Sequence, residues 1–370
     1  MKNIFGNSLT ITLFGESHGP SVGAVLDGLA PGIPVSEQYI ADALSRRRPR
    51  DDTATARREP DDFVIESGVF NGYTTGTPLC IRINNTDTHS GDYSDIRGKA
   101  RPGHCDYPAF CKYHGYEDYR GGGHFSGRIT AAIVAAGAIV TPALEAKGIV
   151  ISTHLSKCAG IDDIPFDFGN VEEMIDLNKK PFPALSDEAG ERMKENILKA
   201  KAALDSVGGI LETAIIGMPS GCGEPWFDSV ESMLSHALFS IPAVKGVEFG
   251  AGFALADMTG SAANDGYGID ADGNINTPTN NNGGICGGIT NGMPIVFRCA
   301  VKPTPSIAKK QRTVDFMSGE NVELEIKGRH DPCIAPRAAS VVNAIAALTV
   351  ADILTGRSGT DCLTGTDVKI

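Results

Sequence analysis

The sequence predicts an α+β fold built from two similar halves, in which apolar helices are enclosed by β-sheets. Three observations point to it. Two Ala-rich segments, RITAAIVAAGAIV from Arg128 and RAASVVNAIAALTV from Arg337, are apolar on nearly every helical face, so each must be buried on all sides. Short runs around them, such as TAIIG and IVFRC, alternate and are rich in β-branched residues, the pattern of strands. The chain also resembles itself. GYTTGTP with LCIRI, from Gly72, matches GITNGMP with IVFRC, from Gly288. GAVLDGLAPG, from Gly23, matches ETAIIGMPSG, from Glu212. With the two Ala-rich segments, these pairs recur in the same order, as an internal duplication requires. The halves run roughly over 1–155 and 205–370 of one domain spanning 1–370.

In chain order, SLTITLF is a strand, and PSVGAVLDGLAPGIP, interrupted by Gly23 and Gly28, is a turn followed by a second strand. Between them lies FGESHG, which contains the G-x-S-x-G spelling of a hydrolase nucleophile elbow. An elbow needs a helix after its serine and a sheet before its strand; neither is present, so the stretch reads as a Gly-rich hairpin turn carrying Glu16, Ser17 and His18. The Ala-rich segments compete with membrane spans. Pro142 interrupts the first, and Asn343 and Asp352 fall in the second, which favours buried helices. Between the halves, ALSDEAGERMKENILKAKAALDSVGG predicts an exposed inserted helix near 186–207, with Ser186 as N-cap, acids in the first turn and Gly208-Gly209 as the stop.

Four polar clusters remain. FGESHG is the first. The second, RPGHCDYPAFCKYHGYEDYRGGGHFSGR (Arg101–Arg128), is dense in Arg, His and Gly, and ends in a glycine loop entering an apolar helix, which suits a phosphate. The third, SRRRPRDDTATARREPDD, has six Arg between Arg46 and Arg58 and no Lys. A solvated loop is the plain reading, but arginine's planar fork favours gripping carboxylate or phosphate. VKPTPSI (Val301–Ile307) and GRHDPCIAPR (Gly328–Arg337) form the fourth. Singly, His104, His124 or His330 reads as a structural histidine. Together the clusters describe a pocket of several Arg, at least two His and one Asp, suited to acid–base work on a multiply anionic substrate.

Composition sets the surroundings. Hydrophobic residues at 41% and charged residues at 21% are ordinary for a globular protein. A net charge of −12 argues against nucleic-acid or anionic-membrane partners, so an anionic ligand needs a locally basic pocket. Nine scattered cysteines with no C-x-x-C pair predict reduced thiols in a cytoplasmic protein and no metal site. No signal-peptide pattern is present at the amino terminus, which predicts a protein that is not secreted.

FGESHG, RRRP, RREPD, TTGTP, RPGHCDY, YRGGG, DSVGG, AVKGVEFG, NGGICGGI, KPTPS and GRHDPC, in this order, resemble the chorismate synthase family over essentially the whole chain. The resemblance implies a lyase that ends the shikimate pathway. It removes phosphate and a proton from 5-enolpyruvylshikimate-3-phosphate by anti-1,4 elimination and needs reduced FMN, with no net redox change. It further implies a β-α-β sandwich, a helical layer between two antiparallel sheets, assembled as a homotetramer.

The resemblance also assigns residues. His18 would protonate the departing phosphate, and His104 would protonate or hold the reduced flavin near N1. Asp331 would assist proton removal at N5, with Ser17 in the relay. Arg47, Arg101, Arg128, Arg329 and Arg337 would bind substrate or NADP. The FMN site would comprise His124, Phe125, Ser126, Ala243, Gly287, Lys302, Pro303, Thr304, Pro305, Ser306 and Arg329. The chain departs from the family in three places: GGGHFSGR stands for GGGRSSAR, Pro242 for the Asn before Ala243, and a shortened RRRPRDD leaves Arg50 without a firm counterpart. Two rival readings are a flavin oxidoreductase using the same FMN site and a non-catalytic flavin- or nucleotide-binding protein. No G-x-G-x-x-G follows a strand, which favours an external flavin reductase over self-reduction by NADPH.

Overall fold

The β-branched runs fold into two five-stranded antiparallel sheets in a computed structural model of the chain, described for residues 2–55, 59–86, 97–326 and 330–364. The first sheet contains β1 (Ile4–Phe5), β2 (Thr10–Gly15), β3 (Ser21–Asp27), β4 (Phe63–Ser67) and, after the short ribbon β5 (Val69–Phe70) and β6 (Tyr73–Thr74), β7 (Leu79–Asn84). Its spatial order is β1-β2-β3-β7-β4. The second contains β8 (Val150–Cys158), β9 (Ile161–Asp162), β10 (Gly209–Ile216), β11 (Val244–Phe249) and β16 (Ile295–Val301). Its order is β9-β8-β10-β16-β11. Short ribbons β12 (Gly268–Ile269) with β13 (Ile275–Asn276), β14 (Ile285–Cys286) with β15 (Ile289–Thr290), and β17 (Gln311–Asp315) with β18 (Glu320–Leu324) decorate the frame.

The pairing agrees between the sheets residue by residue along the segments that the sequence matches. Val22, Ala24 and Leu26 of β3 face Ile83, Ile81 and Leu79 of β7. Leu211, Thr213 and Ile215 of β10 face Cys299, Phe297 and Ile295 of β16. Gly28 and Gly217 close the matched strands in the same left-handed conformation, at φ 89° and 83°.

The helices are α1 (Glu37–Arg47), α2 (Asp106–Tyr113), α3 (Thr130–Glu145), α4 (Val171–Leu177), α5 (Asp187–Ala202), α6 (Val230–Leu238), α7 (Gly260–Ala263) and α8 (Ala335–Ser358). The two Ala-rich segments are α3 and α8. They pack on each other, with α3 also against β3 and β7 and α8 against β8 and β10. At their crossing a Cβ on Gly137 would stand 2.6 Å from that of Ala344, so glycine sets how closely the axes approach. Taken with the turn before it, α3 (Gly127–Glu145), like α8, is long and apolar enough to cross a membrane, yet most of each is buried within the protein. Pro142 does not interrupt α3, contrary to the sequence expectation: the helix runs on to Glu145. The Thr141 hydroxyl donates to the Gly137 carbonyl at 2.8 Å one turn back.

The inserted helix is α5, capped by Ser186, whose Oγ accepts from the Ala189 N–H at 3.2 Å. It stops before the expected Gly208-Gly209. Leu204 takes a left-handed conformation at φ 58°, and the Asp205 N–H reaches back to the Ala200 carbonyl at 3.0 Å. That is a Schellman closure with leucine where glycine is usual.

Candidate functional site

A cavity of about 740 Å³ lies where the first sheet, α1, the glycine loop and the start of α8 converge, within the roughly 300–1,000 Å³ usual for small-molecule sites. Its wall carries Arg47, Arg101, Arg128, Arg337, Lys302, His104, His124 and Asp331. In a chain of net charge −12 this is a locally basic pocket.

The arginines are fixed from behind. Arg47 ends α1, and its Nη2 donates to Asp61 Oδ2 at 2.9 Å. Arg128, on the turn entering α3, bonds the other Asp61 oxygen through Nη1, Asn85 Oδ1 through Nε at 2.8 Å, and the Asn84 carbonyl through Nη2 at 3.0 Å. Asp61 is 2% exposed. Burial by itself would raise its carboxyl, but Arg47 and Arg128 together hold it below the ordinary carboxylate value. Burial likewise pushes the Arg47 guanidinium down to about 10, against the pull of Asp61. Arg47 Nε is buried and has no hydrogen-bond partner among the described residues. An orphaned donor of this kind on a cavity wall is a place for a ligand acceptor. Arg337, in the first turn of α8, bonds Asp331 Oδ2 at 2.7 Å and the Arg47 carbonyl at 2.8 Å, while Asp331 Oδ1 accepts from the Thr55 N–H at 2.9 Å.

On another wall, Asp106 accepts two bonds from the Arg101 guanidinium, at 2.6 and 2.8 Å, one from the Arg101 N–H at 3.0 Å, and one from His104 Nδ1 at 2.8 Å. Burial would raise this carboxyl too; Arg101 and His104 outweigh it and hold it far below its ordinary value. With Nδ1 committed as a donor, Nε2 is the histidine's remaining functional atom. It lies 3.5 Å from where a Cβ of Gly122 would stand.

Gly121, Gly122 and Gly123 all adopt positive φ, at 59°, 84° and 52°. A Cβ at Gly121 would sit 2.2 Å from the His18 ring, so the glycine loop fits between His18 on one side and His104 on the other. His18 and Ser17 therefore stand behind the loop and not on the cavity wall. Ser17 Oγ lies 3.0 Å from His18 Nδ1 and 3.2 Å from the Gly121 carbonyl. After Ser17 the chain turns into the antiparallel strand β3, so the elbow geometry is absent. Ser17 is bonded to His18, whereas Asp331 is held by Arg337 and Thr55 on a different wall.

Of the residues assigned to a flavin, His124, Phe125, Ser126, Ala243, Lys302, Thr304, Pro305 and Ser306 line the cavity. His124 Nδ1 donates to the Gly15 carbonyl at 2.7 Å, and the Phe125 ring meets Tyr113 edge-on at 5.9 Å. Ala243 holds φ 77° while its carbonyl accepts from the Lys302 N–H at 2.9 Å. Thr304 Oγ1 is buried with no hydrogen-bond partner among the described residues. Gly287 and Pro303 do not line the cavity: Gly287 lies in the β14–β15 turn, and Pro303 packs toward Gly208. Arg329 lies outside the described residues. Arg50 points away from the site, onto Ser45.

Sequence reasoning missed Asp61, Asn85 and Asp106. Asp61 and Asp106 sit within quoted motifs, RREPD and RPGHCDY, where an acid among arginines was the available signal. Asn85 had none, because its role comes from where β7 ends in space.

Comparison with known proteins agrees with this geometry. The chorismate synthase family profile matches residues 9–355. The chain is 48% identical to the chorismate synthase of Pyrococcus abyssi over 349 residues, covering 94% of this chain and 96% of the relative. It is 49% identical to that of Thermococcus gammatolerans over 353 residues, 95% and 97% of the two chains. A solved structure described as a crystal structure of chorismate synthase superposes with a TM-score of 0.74 at 29% identity, covering 96% of this chain and 94% of that one. Matched along nearly its whole length by the profile and by relatives close to half identical, the chain belongs to the chorismate synthase family.

Proposed function

We propose that the cavity holds reduced FMN beside 5-enolpyruvylshikimate-3-phosphate, and that this is where the chain carries out the family's reaction. That reaction is the lyase step of the shikimate pathway yielding chorismate. The observation that carries the reading is the wall of four buried or half-buried arginines, Arg47, Arg101, Arg128 and Arg337, facing one basic cavity. A substrate with a phosphate and two carboxylates needs such a wall, and bidentate forks suit all three groups.

A flavin fits the remaining wall. The buried, unpartnered Thr304 Oγ1, the Lys302 ammonium and the left-handed Ala243 backbone offer polar contacts along one edge, with Phe125 as an apolar one. When bound, reduced FMN supplies transient electron density and a basic nitrogen with no net oxidation. The protein's part is positional and acid–base. The arginines neutralise the substrate's anions and orient it. His18 would donate a proton to the phosphate oxygen as the C–O bond breaks, because phosphate leaves poorly as a trianion. For this the Gly121 backbone between its ring and the cavity has to move aside. His104, oriented by Asp106 through Nδ1, leaves Nε2 for proton exchange at the flavin site. Asp331, bonded to Arg337, would assist the proton removal. Gly121 has no side chain, so only backbone stands between His18 and the cavity at that point.

The same reading takes the chain as one domain of two pseudo-repeated halves forming a β-α-β sandwich, supported by the shared strand order and register. It also takes the protein as a cytoplasmic homotetramer supplied with reduced flavin by an external reductase. The nearly bare Trp226 and Phe227 support assembly, since large exposed aromatics mark contact surfaces. The test is an anaerobic assay with photoreduced FMN, substrate and no NADPH. One phosphate should appear per chorismate without stoichiometric loss of reductant. Stoichiometric reductant consumption would indicate an oxidoreductase, and flavin binding without phosphate release a binding protein.

A further inference from the structure

One side-chain chain crosses the molecule behind the cavity. It starts at Asp331 and passes through Arg337 to the Arg47 carbonyl, then from the Arg47 guanidinium to Asp61. Asp61 hands on to Arg128, and Arg128 to Asn85. The Asn85 amide then donates to the Glu16 and Gly19 carbonyls, at 2.9 and 2.8 Å, bracketing Ser17 and His18. Neither Asp61 nor Asn85 lines the cavity. Asp61 is buried, occupies a left-handed conformation at φ 57°, and uses both carboxylate oxygens on the guanidiniums of Arg47 and Arg128, two residues that line the cavity. The first of these guanidiniums carries the orphaned Arg47 Nε.

We infer that Asp61 and Asn85 are positioning residues with separate duties: Asp61 locks Arg47 and Arg128 into one anion-binding unit, and Asn85 ties the His18 loop to that unit. The inference rests on the function proposed above. Without Asp61 two buried guanidiniums lie side by side with no counter-ion between them: Arg47 loses its carboxylate partner, while Arg128 is left, among the described residues, with Asn85 and the Asn84 carbonyl alone. Asn85 has a different effect, because Arg128 keeps Asp61 without it while the loop bearing His18 loses its two anchors.

The substitutions that separate these duties are Asp61→Asn and Asn85→Asp. Asparagine tolerates the left-handed backbone, so Asp61→Asn removes charge without adding strain. In Asn85→Asp the carboxylate still accepts from Arg128 but repels the two carbonyls. Each variant is assayed anaerobically for phosphate release, and by the rise in melting temperature that substrate produces with oxidised FMN present. Asp61→Asn should raise KM and weaken the substrate-induced shift by about 10–100-fold in concentration, as loss of a charge-assisted anchor does, with kcat little changed. Asn85→Asp should lower kcat at least tenfold, with KM and the thermal shift near parental. The inference is overturned if both variants keep parental constants, or if kcat and KM change together in each in step with a lowered melting temperature. If Asp61→Asn does not fold, the kcat-only signature of Asn85→Asp decides. A parental enzyme that releases no phosphate sinks the functional reading instead, and the thermal shift still reports on Asp61.

Discussion

Four strands of each sheet, β2-β3-β7-β4 and β8-β10-β16-β11, share spatial order and register. The edge strand β1, however, precedes its neighbour in the chain while β9 follows its own, and the connection between two corresponding strands differs. In the first sheet, β2 passes to β3 through Glu16–Pro20, a five-residue turn that carries Ser17 and His18. In the second, β8 passes to β10 through residues 159–208, which contain β9, α4 and α5. The short turn is pinned by the glycine loop and Asn85 at the edge of the cavity. The long one folds over the outer face of its sheet, where Phe166, Met174, Leu177 and Leu185 form a second apolar cluster on Val150 and Ala214. Beneath it His154, fully buried, bonds Asp163 Oδ2 at 3.0 Å and Glu212 Oε1 at 3.3 Å. One frame thus holds the proposed reactive groups where the connection is short and structural ones where it is long. Burial of a histidine between acids does not by itself identify a site.

The sharpest way to break that contrast is Gly121→Ala. The added methyl would overlap the His18 ring and lie 2.7 Å from Ser17 Oγ, at a φ of 59° that alanine resists. Displacing His18, the general acid proposed above, should lower kcat by about 10²–10⁴, the usual worth of such a group. Gly127→Ala, where nothing lies within 4 Å of the new methyl, is the control and should keep most activity. Single-turnover phosphate release for the two variants makes the comparison. Equal, near-parental rates would remove His18 from the mechanism.

Next in size is His154→Gln. It leaves Asp163 and Glu212 without their shared partner, with Arg298 the remaining cation at 3.5 Å from Glu212 and itself committed to Glu248. Breaking a buried pair by removing one member typically costs about 3–5 kcal/mol, here read from denaturant melts, with turnover below the transition unchanged. Burial would lower the His154 value, but the bonds to Asp163 and Glu212 raise it above the ordinary histidine range. A raised folded value means that this stabilisation is full below the unfolded value, near pH 6.5, and is lost as pH rises through the folded value. The parental protein should therefore lose stability above neutrality, and His154→Gln should flatten that slope. A slope left intact by the substitution would show that other groups set it.

Much of the fold was legible because its signals are local. All-round apolar faces identified α3 and α8, and alternation identified the strands. The ordered repeat anticipated the shared register of β3–β7 and β10–β16. Where a non-local partner decides, the reading failed. Pro142 was expected to end α3, but packing against α8 and the first sheet carries the helix past it. The site divided in the same way. Arg47, Arg101, Arg128, Arg337 and His104 stood in polar, Gly- or Pro-flanked stretches and do reach one cavity. Gly287 carries no such signal and lies off it. Asp61 and Asn85 went unseen because their importance lies in which guanidiniums they meet, at separations of 14 and 67 residues for Asp61 and 43 for Asn85. Spacing along the chain holds no trace of that.

The smallest expected effect tests whether the long connection is purely structural. Ser186 caps α5 through a bond from the Ala189 N–H, and its own N–H, with that of Leu185, donates to Asp163 at 3.0 and 2.7 Å. The cap therefore stands one residue from the acid that holds His154. Removing an N-cap hydroxyl typically costs about 1 kcal/mol, since one helix N–H loses its partner while the backbone stays in place. Ser186→Ala keeps both backbone bonds to Asp163, so the His154 cluster should be undisturbed and its pH slope should match the parental one. Turnover should match as well, because α5 contributes nothing to the cavity wall. Combining Ser186→Ala with His154→Gln measures how far the two are coupled. Additive losses would mean that the cap acts on α5 alone. A combined loss smaller than the sum would mean that cap and cluster fold as one unit, with Asp163 as the joint between the long connection and its sheet.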